Sequence, residues 1–385
     1  KKTKSGLKQL FVPGMFFEDM GITYLGPVDG HDIRKLYKTF QEAKRVDHAV
    51  LVHVLTKKGK GYVPAEENPS RFHGIVPFDI ETGEAKEKSS KDSYTDIFSK
   101  VFCDIAKQND AVVGITAAMA DGTGLARFAR MFPDRFFDVG IAEEHALTFA
   151  AGLAAGGLKP VVAVYSSFLQ RAFDQTIHDV CLQNLPVMIA VDRAGLVGSD
   201  GETHQGLFDL SFLNMIPNMT ILSPKNRWEM ADMVRFCADF QYPVALRYPR
   251  GAAYEGLSAF RTPIVYGKSE ILYEEEDIAV IFVGHMAELA VQVRDRLKEI
   301  GYHCSLIKML EALTKDHRLF VTIEENVLSG GFGEQVLHYV SRAKLDVGVR
   351  CIGIPDDYVE HGNVDLLRRE VGLDAETIVN LATDQ

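Results

Sequence analysis

The sequence lacks several features that define large protein classes. Its five cysteines are widely separated, with none of the close paired spacings of zinc sites or disulfide-rich domains. It has no apolar run of about 18 residues, the length that predicts a transmembrane helix. Basic residues are not in excess, and the formal net charge of −11 argues against nucleic acid or an anionic membrane as partner. We therefore expect buried thiols, a cytoplasmic location, and neither a nucleic-acid nor a membrane partner.

What the sequence does contain is a repeated strand and helix pattern. With 385 residues, 46% of them hydrophobic, the chain has room for two or three domains. Short β-branched runs alternate with helical patterns, which predicts βαβ units and parallel sheets buried on both faces. The candidate strands are 48–56, 111–116, 135–141, 159–166, 186–192, 219–224, 243–249, 277–284, 303–307, 319–325 and 349–355.

Changes in composition predict three domains. Residues 79–91 are polar and charged, which is typical of a linker. Residues 1–78 before it predict a helix-strand-helix-strand piece, and 92–251 and 264–385 predict two α/β domains. The chain begins abruptly, and strand 303–307 meets a helical pattern without connecting residues. We expect segments to be absent at both places.

The stretch DVGIAEEHALTFAAGLAAGG (138–157) places acids at the start of a helix. Glu143 falls in the first turn, where a carboxylate complements the helix dipole. It also follows the carboxyl end of a parallel strand, where α/β proteins bind ligands. Both interpretations stay open for Glu143. For Glu144 and His145 we favour helix capping or contact with a partner subunit.

Two segments after predicted strands carry aromatic and charged residues. In VYSSFLQRAFDQTIHDV (164–180), Phe168 and Arg171 could stack on and flank a flat heterocycle, or be a core aromatic and a surface arginine. VDRAGLVGSDGETHQG (191–206) is a glycine-rich loop after a buried strand, and functional groups concentrate on such loops. It bears three candidate side chains: Arg193, Asp200 and His204. Arg250 in RYPRG could join Arg193 to clamp a phosphate.

The segment TKKGKGYVPAEENPSRFHG (56–74) sets glycines between lysines and then a histidine. Backbone amides exposed by glycine, together with lysine, suit a diphosphate. The pattern is also common in surface turns, so alone it is a weak indication.

Taken together, these segments resemble the 1-deoxy-D-xylulose-5-phosphate synthases. This family is thiamine diphosphate-dependent and transketolase-like, so the resemblance implies parallel-sheet cofactor-binding domains plus a C-terminal α/β domain. It also implies condensation of pyruvate with D-glyceraldehyde 3-phosphate and release of CO₂, which feeds isoprenoid, thiamine and pyridoxal synthesis. The resemblance lies in PVDGHD (27–32), TKKGKGY (56–62), FHG (72–74), DVGIAEEHALTFAAGLA (138–154), YSSFLQRAFDQ (165–175), DRAGLVGSDGETHQG (192–206), RYPRG (247–251) and TIEEN (322–326).

The resemblance implies cofactor contacts for five residues. Glu143 matches the glutamate that bonds N1′ of the cofactor's aminopyrimidine and so activates it. Phe168 matches the aromatic stacked on the pyrimidine, with Arg171 beside it. Lys58 and Tyr62 match further cofactor contacts, with Lys58 at the diphosphate.

It also implies catalytic and substrate contacts. His73 and His204 match active-site histidines placed for proton transfer, and Asp200 lies beside them. Three further residues match the family's pocket for the phosphate of the acceptor substrate: Tyr165, Arg193 and Arg250.

One family motif does not occur. The family ligates Mg²⁺ and the diphosphate through a GDG…N segment in its N-terminal part, so we expect the metal ligands outside this chain and assign none within it. The resemblance further implies a homodimer. Transketolase, a β-type subunit of a 2-oxo acid dehydrogenase, and a folded but inactive fragment remain alternatives; TKKGKGY and FHG favour the synthase over that subunit.

Overall fold

The computed structural model describes residues 15–69, 71–75, 77–86, 91–198, 200–308 and 317–383. The chain divides into two compact units, Lys1–Lys88 and Ser89–Gln385. The basic N-terminal segment and the passage that follows Lys308, both singled out above, lie outside the described residues. The predicted domain boundaries stay a prediction.

The first unit has the expected helix-strand-helix-strand order. Strands β1 and β2 pair in parallel. Helix α2 starts after Asp32, whose carboxylate accepts hydrogen bonds from the amides of Arg34 and Lys35 and so caps the helix. The elements are α1 (Met15–Asp19), β1 (Thr23–Asp29), α2 (Ile33–Ala43), β2 (Val50–Leu55) and α3 (Val63–Glu67).

A six-stranded parallel sheet organises the first part of the second unit. Its order is β4-β3-β5-β6-β8-β7, and every strand lies within a predicted one. The strands are β3 (Val112–Thr116), β4 (Phe136–Asp138), β5 (Lys159–Tyr165), β6 (Met188–Asp192), β7 (Thr220–Leu222) and β8 (Val244–Tyr248). The helices are α4 (Tyr94–Ala106), α5 (Leu125–Met131), α6 (Glu143–Ala155), α7 (Ser166–Leu169), α8 (Phe173–Gln175), α9 (Asp209–Asn214) and α10 (Arg227–Asp239). Short 3-10 helices lie at Pro133–Arg135 and Gln170–Ala172, and a π-helical segment lies at Thr176–Cys181.

The four central strands of this sheet are buried on both faces, as their near-continuous apolar sequences predict. Along β5, Val161 and Ala163 pack with the core residues of α4 and α10. Val162 and Val164 point to the opposite face and pack with those of α6. The alternation follows from the two-residue period of a strand.

A five-stranded mixed sheet organises the rest of the second unit. Its order is β13-β12-β10-β11-β9. The edge strand β9 pairs antiparallel with β11 and is short and half-exposed, which is why the sequence did not reveal it. The strands are β9 (Glu270–Tyr273), β10 (Asp277–Phe282), β11 (Cys304–Lys308), β12 (His317–Val327) and β13 (Gly348–Ile354). The helices are α11 (Ala287–Glu299), α12 (Phe332–Ala343), α13 (Val364–Glu370) and α14 (Ala375–Thr383), with a tight turn at Gly284–Met286.

All five cysteines are free thiols. Four of them are buried as expected, but the expectation is wrong for Cys351, which is only partly buried. Cys351 lies on β13 at one end of the sheet order, where fewer neighbours cover it. Within the described residues no helix is long and apolar enough to cross a membrane.

Candidate active site

The carboxyl ends of three neighbouring strands bring together most of the predicted site residues. Across β5, β6 and β8 the register pairs Tyr165 with Asp192 and Asp192 with Tyr248. Arg193 is the next residue after β6, and Arg250 follows β8 by two residues. Parallel strands end at one edge of a sheet, which is where α/β folds place ligands.

Glu143 is the first residue of α6 and is 1% exposed. Arg171 donates a hydrogen bond from Nη1 to Glu143 Oε2 at 3.3 Å. A carboxylate can interact with the helix dipole while it stays exposed, and burying it costs desolvation free energy, so burial beside one cation favours a ligand-binding role. Glu144 and His145 are exposed, and the His145 ring stacks on Phe149.

Phe168 lies at the centre of an aromatic and cationic group. The Cζ atom of Arg171 is 5.6 Å from the Phe168 ring centroid. Tyr165 stacks on Phe168 with centroids 5.8 Å apart, and the His204 ring meets Phe168 edge-on at 5.2 Å. Contacts within one unit thus link Glu143, Arg171, Phe168 and His204.

Arg193 is held from three directions. Its Cζ atom lies 4.2 Å from the centroid of the Tyr165 ring. Its Nη1 donates to Asp192 Oδ1 at 2.7 Å and to the carbonyl of Gly122. Burial raises the pKa of the Asp192 carboxyl, while the Arg193 charge opposes that change. Within the described residues the buried Arg193 Nε has no hydrogen-bond partner, so this donor can serve a ligand.

Arg250 and Arg193 line one cavity of ≈560 Å³, as the predicted phosphate clamp requires. Three further cations and two carboxylates that line the cavity are Lys100, Arg127, Arg130, Asp96 and Asp121. Such an excess of positive charge suits an anionic ligand.

Among the described residues, no hydrogen bond joins Asp200 to His204. Instead, Asp200 accepts a hydrogen bond from Arg250 Nη1 at 2.6 Å. His204 Nδ1 lies 2.9 Å from Thr203 Oγ1. Asp200 is therefore paired with Arg250, which lines the cavity, whereas His204 contacts the ring of Phe168.

The remaining predicted residues lie in the first unit, on exposed turns. Lys58 and His73 are exposed, and no contact of their side chains is found among the described residues. The Tyr62 hydroxyl donates to the carbonyl of Ile80 at 2.8 Å. Glu66 holds the lysine and glycine turn by accepting from Lys57 Nζ at 2.5 Å and from the amide of Gly61 at 2.9 Å. The Lys57 hydrogen bond, followed by that of Gly61, lowers the pKa of Glu66 to about 2.

The residues present suit one half of a thiamine-type cofactor. Glu143 offers a buried carboxylate and Phe168 a half-buried ring face, which are the groups that an aminopyrimidine needs. Across the ranges that the structure describes, no group of three or more His, Cys, Asp or Glu side chains is arranged to hold a metal ion.

Sequence reasoning missed the residues that orient the site. Asp192 receives a hydrogen bond from Thr95 Oγ1 at 2.8 Å and in turn fixes Arg193. An acid at the end of an otherwise apolar strand was the available signal. Glu325, which contacts the loop after β6, and Gln205 within that loop had no such local signal, because Leu196 and Glu360, with which they pair, are distant in sequence.

Solved structures share the fold of this chain. A split-gene transketolase, described as an inactive β4 tetramer, matches 76% of this chain and 97% of its own, with a TM-score of 0.69 and 25% identity. A transketolase from Campylobacter jejuni matches 98% of this chain and 70% of its own, with a TM-score of 0.64 and 16% identity. Family models for the transketolase pyrimidine-binding domain and C-terminal domain match residues 90–255 and 267–378. The chain therefore has the transketolase-like fold.

A narrower relationship follows from sequence. The family model described as 1-deoxy-D-xylulose-5-phosphate synthase matches residues 1–56. The protein of that name from Lachnoclostridium phytofermentans is 54% identical over 99% of this chain, and that from Aquifex aeolicus is 48% identical over 100%. The chain spans about 63% of the length of these two relatives. The resemblance stated above is thus confirmed: the chain is homologous to the 1-deoxy-D-xylulose-5-phosphate synthases over its whole length.

Proposed function

We propose that this chain is part of a 1-deoxy-D-xylulose-5-phosphate synthase that condenses pyruvate with D-glyceraldehyde 3-phosphate and releases CO₂. The product would supply isoprenoid, thiamine and pyridoxal synthesis. The observation that carries the proposal is the buried Glu143 at the start of α6, bonded to Arg171 beside the ring of Phe168. Relatives bearing that name, two of them 54% and 46% identical to this chain, support the choice of reaction.

Glu143 would hold a proton at the pyrimidine N1′ of thiamine diphosphate, and Phe168 would stack on that ring. The bound cofactor supplies an electron sink for decarboxylation. Arg171 fixes the Glu143 carboxylate and also flanks the Phe168 ring, so one side chain orients both groups. Burial of Glu143 excludes water from the carboxylate.

The basic cavity would receive the phosphate of glyceraldehyde 3-phosphate. Arg193 is already oriented by Asp192 and by the Tyr165 ring, and its Nε is available as a donor. Arg250 would either leave Asp200 to bind the phosphate or bind Asp200 and the phosphate together. Preorganised arginines bind phosphate with paired hydrogen bonds.

Proton transfer is assigned to His204 and His73, and Asp200, on the same loop as His204, is a third catalytic candidate. His204 lies against the Phe168 ring, so it would reach the reacting end of a substrate placed there. His73, Lys58 and Tyr62 enter the proposal through the family resemblance alone. Lys58 would contact the cofactor's diphosphate.

We extend the proposal to Mg²⁺, a homodimer and a cytoplasmic location. Mg²⁺ would bind the diphosphate through ligands outside the described residues. Five free thiols fit a reducing compartment. The split-gene transketolase forms a tetramer of its β chains, which supports self-association of this fold.

The alternatives differ in the donor substrate. A transketolase would take a two-carbon unit from a ketose phosphate, and a 2-oxo acid dehydrogenase β subunit would need a separate partner subunit. The test is to supply the full-length protein with thiamine diphosphate, Mg²⁺ and glyceraldehyde 3-phosphate, together with either pyruvate or xylulose 5-phosphate. We expect CO₂ and 1-deoxyxylulose 5-phosphate from pyruvate only. Turnover of the ketose phosphate in its place would support transketolase instead.

A further inference from the structure

The motif TIEEN (322–326) has no role in the proposed reaction, yet it holds four fully buried polar residues, of which Thr322 is one. Glu324, Glu325 and Asn326 lie near the end of β12 and are each 0% exposed. Buried polar groups at consecutive positions cost free energy unless each is satisfied. Their partners therefore indicate what the motif does.

Glu325 reaches from β12 to the loop that follows β6. Its Oε2 accepts a hydrogen bond from the amide of Leu196 at 3.1 Å and lies 2.8 Å from His285 Nε2. Its Oε1 accepts from Arg368 Nε at 2.7 Å. Burial tends to raise the pKa of Glu325, but the nearby charge of Arg368 and the contact with His285 hold it well below its usual range.

The loop approaches Glu325 closely because it has glycine there. A Cβ at Gly195 would lie 2.0 Å from Glu325 Oε2, and the φ of Gly195 is +88°. A residue with a side chain would meet both a steric clash and an unfavourable backbone conformation. The contact between Glu325 and the loop therefore requires glycine at position 195 as well as the glutamate.

A second contact fixes the other arm of the same loop. Gln205 accepts from the amide of Val197 at 2.7 Å and donates from Nε2 to the carbonyl of Glu360 at 3.0 Å. The amide of Gly362 donates to the carbonyl of Gly198 at 3.3 Å. Residues 359–362, after β13, therefore hold the loop opposite the Glu325 contact.

The loop itself contains little regular structure. Reciprocal backbone hydrogen bonds between Gly195 and Gly206, of 2.7 and 2.8 Å, close its base. Between and beside these residues lie the proposed phosphate-binding and proton-transfer groups Arg193, Asp200 and His204. The position of these groups thus depends on contacts made by the domain of the five-stranded sheet.

We infer that Glu325 is a positioning residue, which holds the loop of Arg193 and His204 in place for binding of the acceptor substrate, with Gln205 as its second anchor. The inference rests on the proposed function for the identity of the acceptor. Its structural part, the control of the loop by Glu325, does not.

The first experiment uses the full-length protein and the variant Glu325→Gln. The amide keeps the shape of the side chain but loses the charge that Arg368 and His285 face. We expect faster hydrogen–deuterium exchange in residues 193–206 without substrate, and a KM for glyceraldehyde 3-phosphate raised by about tenfold or more. The KM for pyruvate and the Kd of thiamine diphosphate should stay within about twofold of the wild type, because Glu143, Arg171 and Phe168 do not contact Glu325.

Glu324→Gln is the matched control. Glu324 is the neighbouring buried acid on β12, but it accepts from the amides of Phe332 and Gly333 at the start of α12. Its loss should lower stability and change exchange in α12 while leaving the loop and the acceptor KM unchanged. Equal loop effects in both variants would overturn the inference, since they would reflect general loosening of β12.

Gln205→Ala keeps the test decisive if Glu325→Gln does not fold. It should give the same pattern of faster loop exchange and raised acceptor KM, with a smaller change. Wild-type exchange in the loop of a folded Glu325→Gln or Gln205→Ala variant would contradict the inference. The two claims can fail separately. If the wild type does not react with pyruvate and glyceraldehyde 3-phosphate, the proposed function is wrong. Faster loop exchange in the variants would still support the positioning role.

Discussion

The site residues of the second unit and those of the first unit are held in different ways. Around the six-stranded sheet, Glu143 and Arg193 are fixed by partners within the unit, namely Arg171, Asp192 and the Tyr165 ring. In the first unit, Lys58 and His73 lie exposed on turns. There Glu66 holds the turn through Lys57 and Gly61, and the Tyr62 hydroxyl donates to the carbonyl of Ile80.

This difference indicates which of the candidate side chains are preorganised for binding. Groups at the carboxyl ends of β5, β6 and β8 are preorganised, so removing one should impair chemistry or substrate binding directly. We expect the exposed Lys58 and His73 to gain their geometry only when a ligand is bound. Their loss should leave the fold intact, with Lys58 affecting cofactor affinity and His73 affecting proton transfer.

The largest expected effect is on turnover, through Glu143. Glu143→Gln keeps the size of the side chain but cannot exchange a proton with the pyrimidine. We expect kcat of the full-length protein to fall by about 10²–10⁴, the usual range for loss of an acid–base group. Steady-state assays with pyruvate and glyceraldehyde 3-phosphate measure it. The control is Glu144→Gln, the exposed neighbour, and a comparable fall in that variant would remove the distinction between the two acids.

The next effect concerns the acceptor. Arg193→Met and Arg250→Met should each raise the KM for glyceraldehyde 3-phosphate by about tenfold or more, because each removes a charged hydrogen-bond donor from the cavity. The effect should be larger for Arg193, which is more buried and better fixed than Arg250. Arg235→Met, an exposed arginine on α10, serves as control. A raised pyruvate KM with an unchanged acceptor KM would contradict the assignment of the cavity.

A smaller effect is expected from the first unit. Lys58→Met should weaken binding of thiamine diphosphate with Mg²⁺ by up to about fivefold, because it removes one point charge from a solvent-exposed turn. The free energy of unfolding should not change, since Lys58 is exposed. Isothermal titration and urea denaturation measure the two quantities, and Lys60→Met tests for a general charge effect. Equal losses of affinity in both variants would mean that Lys58 has no particular place at the diphosphate.

The smallest effect is a local pH dependence at Glu66. Its folded-state pKa of about 2 lies below the ordinary value of 4.5, so the ionised form stabilises the folded turn. This contribution is present above about pH 4.5 and is lost as the pH falls towards 2. Carboxyl carbon shifts from NMR should titrate with a midpoint near 2, and Lys57→Met should move the midpoint upward. A midpoint near 4.5 in the wild type would show that the turn is not held in this way.

Much of the fold followed from the apolar strand pattern, and the exceptions have physical causes. Strands β3, β5, β6 and β8 are buried on both faces, so each is an apolar run visible in the sequence. β1 is interrupted by glycine and proline and is partly exposed, and β9 is a short edge strand. Neither produces a strong periodic signal.

Sequence reasoning named candidate residues but not all of their partners. The sequence indicated Arg193, Asp200 and Arg250 from their positions after strands. It could not show that Asp200 pairs with Arg250, or that Glu325 contacts the loop from 129 residues away. Such pairings depend on how sheets and loops pack, which local patterns do not specify.

The central claim is that Glu143 and Phe168 form the pyrimidine half of a thiamine diphosphate site. A crystal structure of the full-length protein with thiamine diphosphate and Mg²⁺ tests it most directly. We expect the Glu143 carboxylate within hydrogen-bond distance of the pyrimidine N1′, about 2.6–3.2 Å, with the Phe168 ring stacked on the pyrimidine. A pyrimidine bound away from the start of α6, with Glu143 still bonded only to Arg171, would contradict the account.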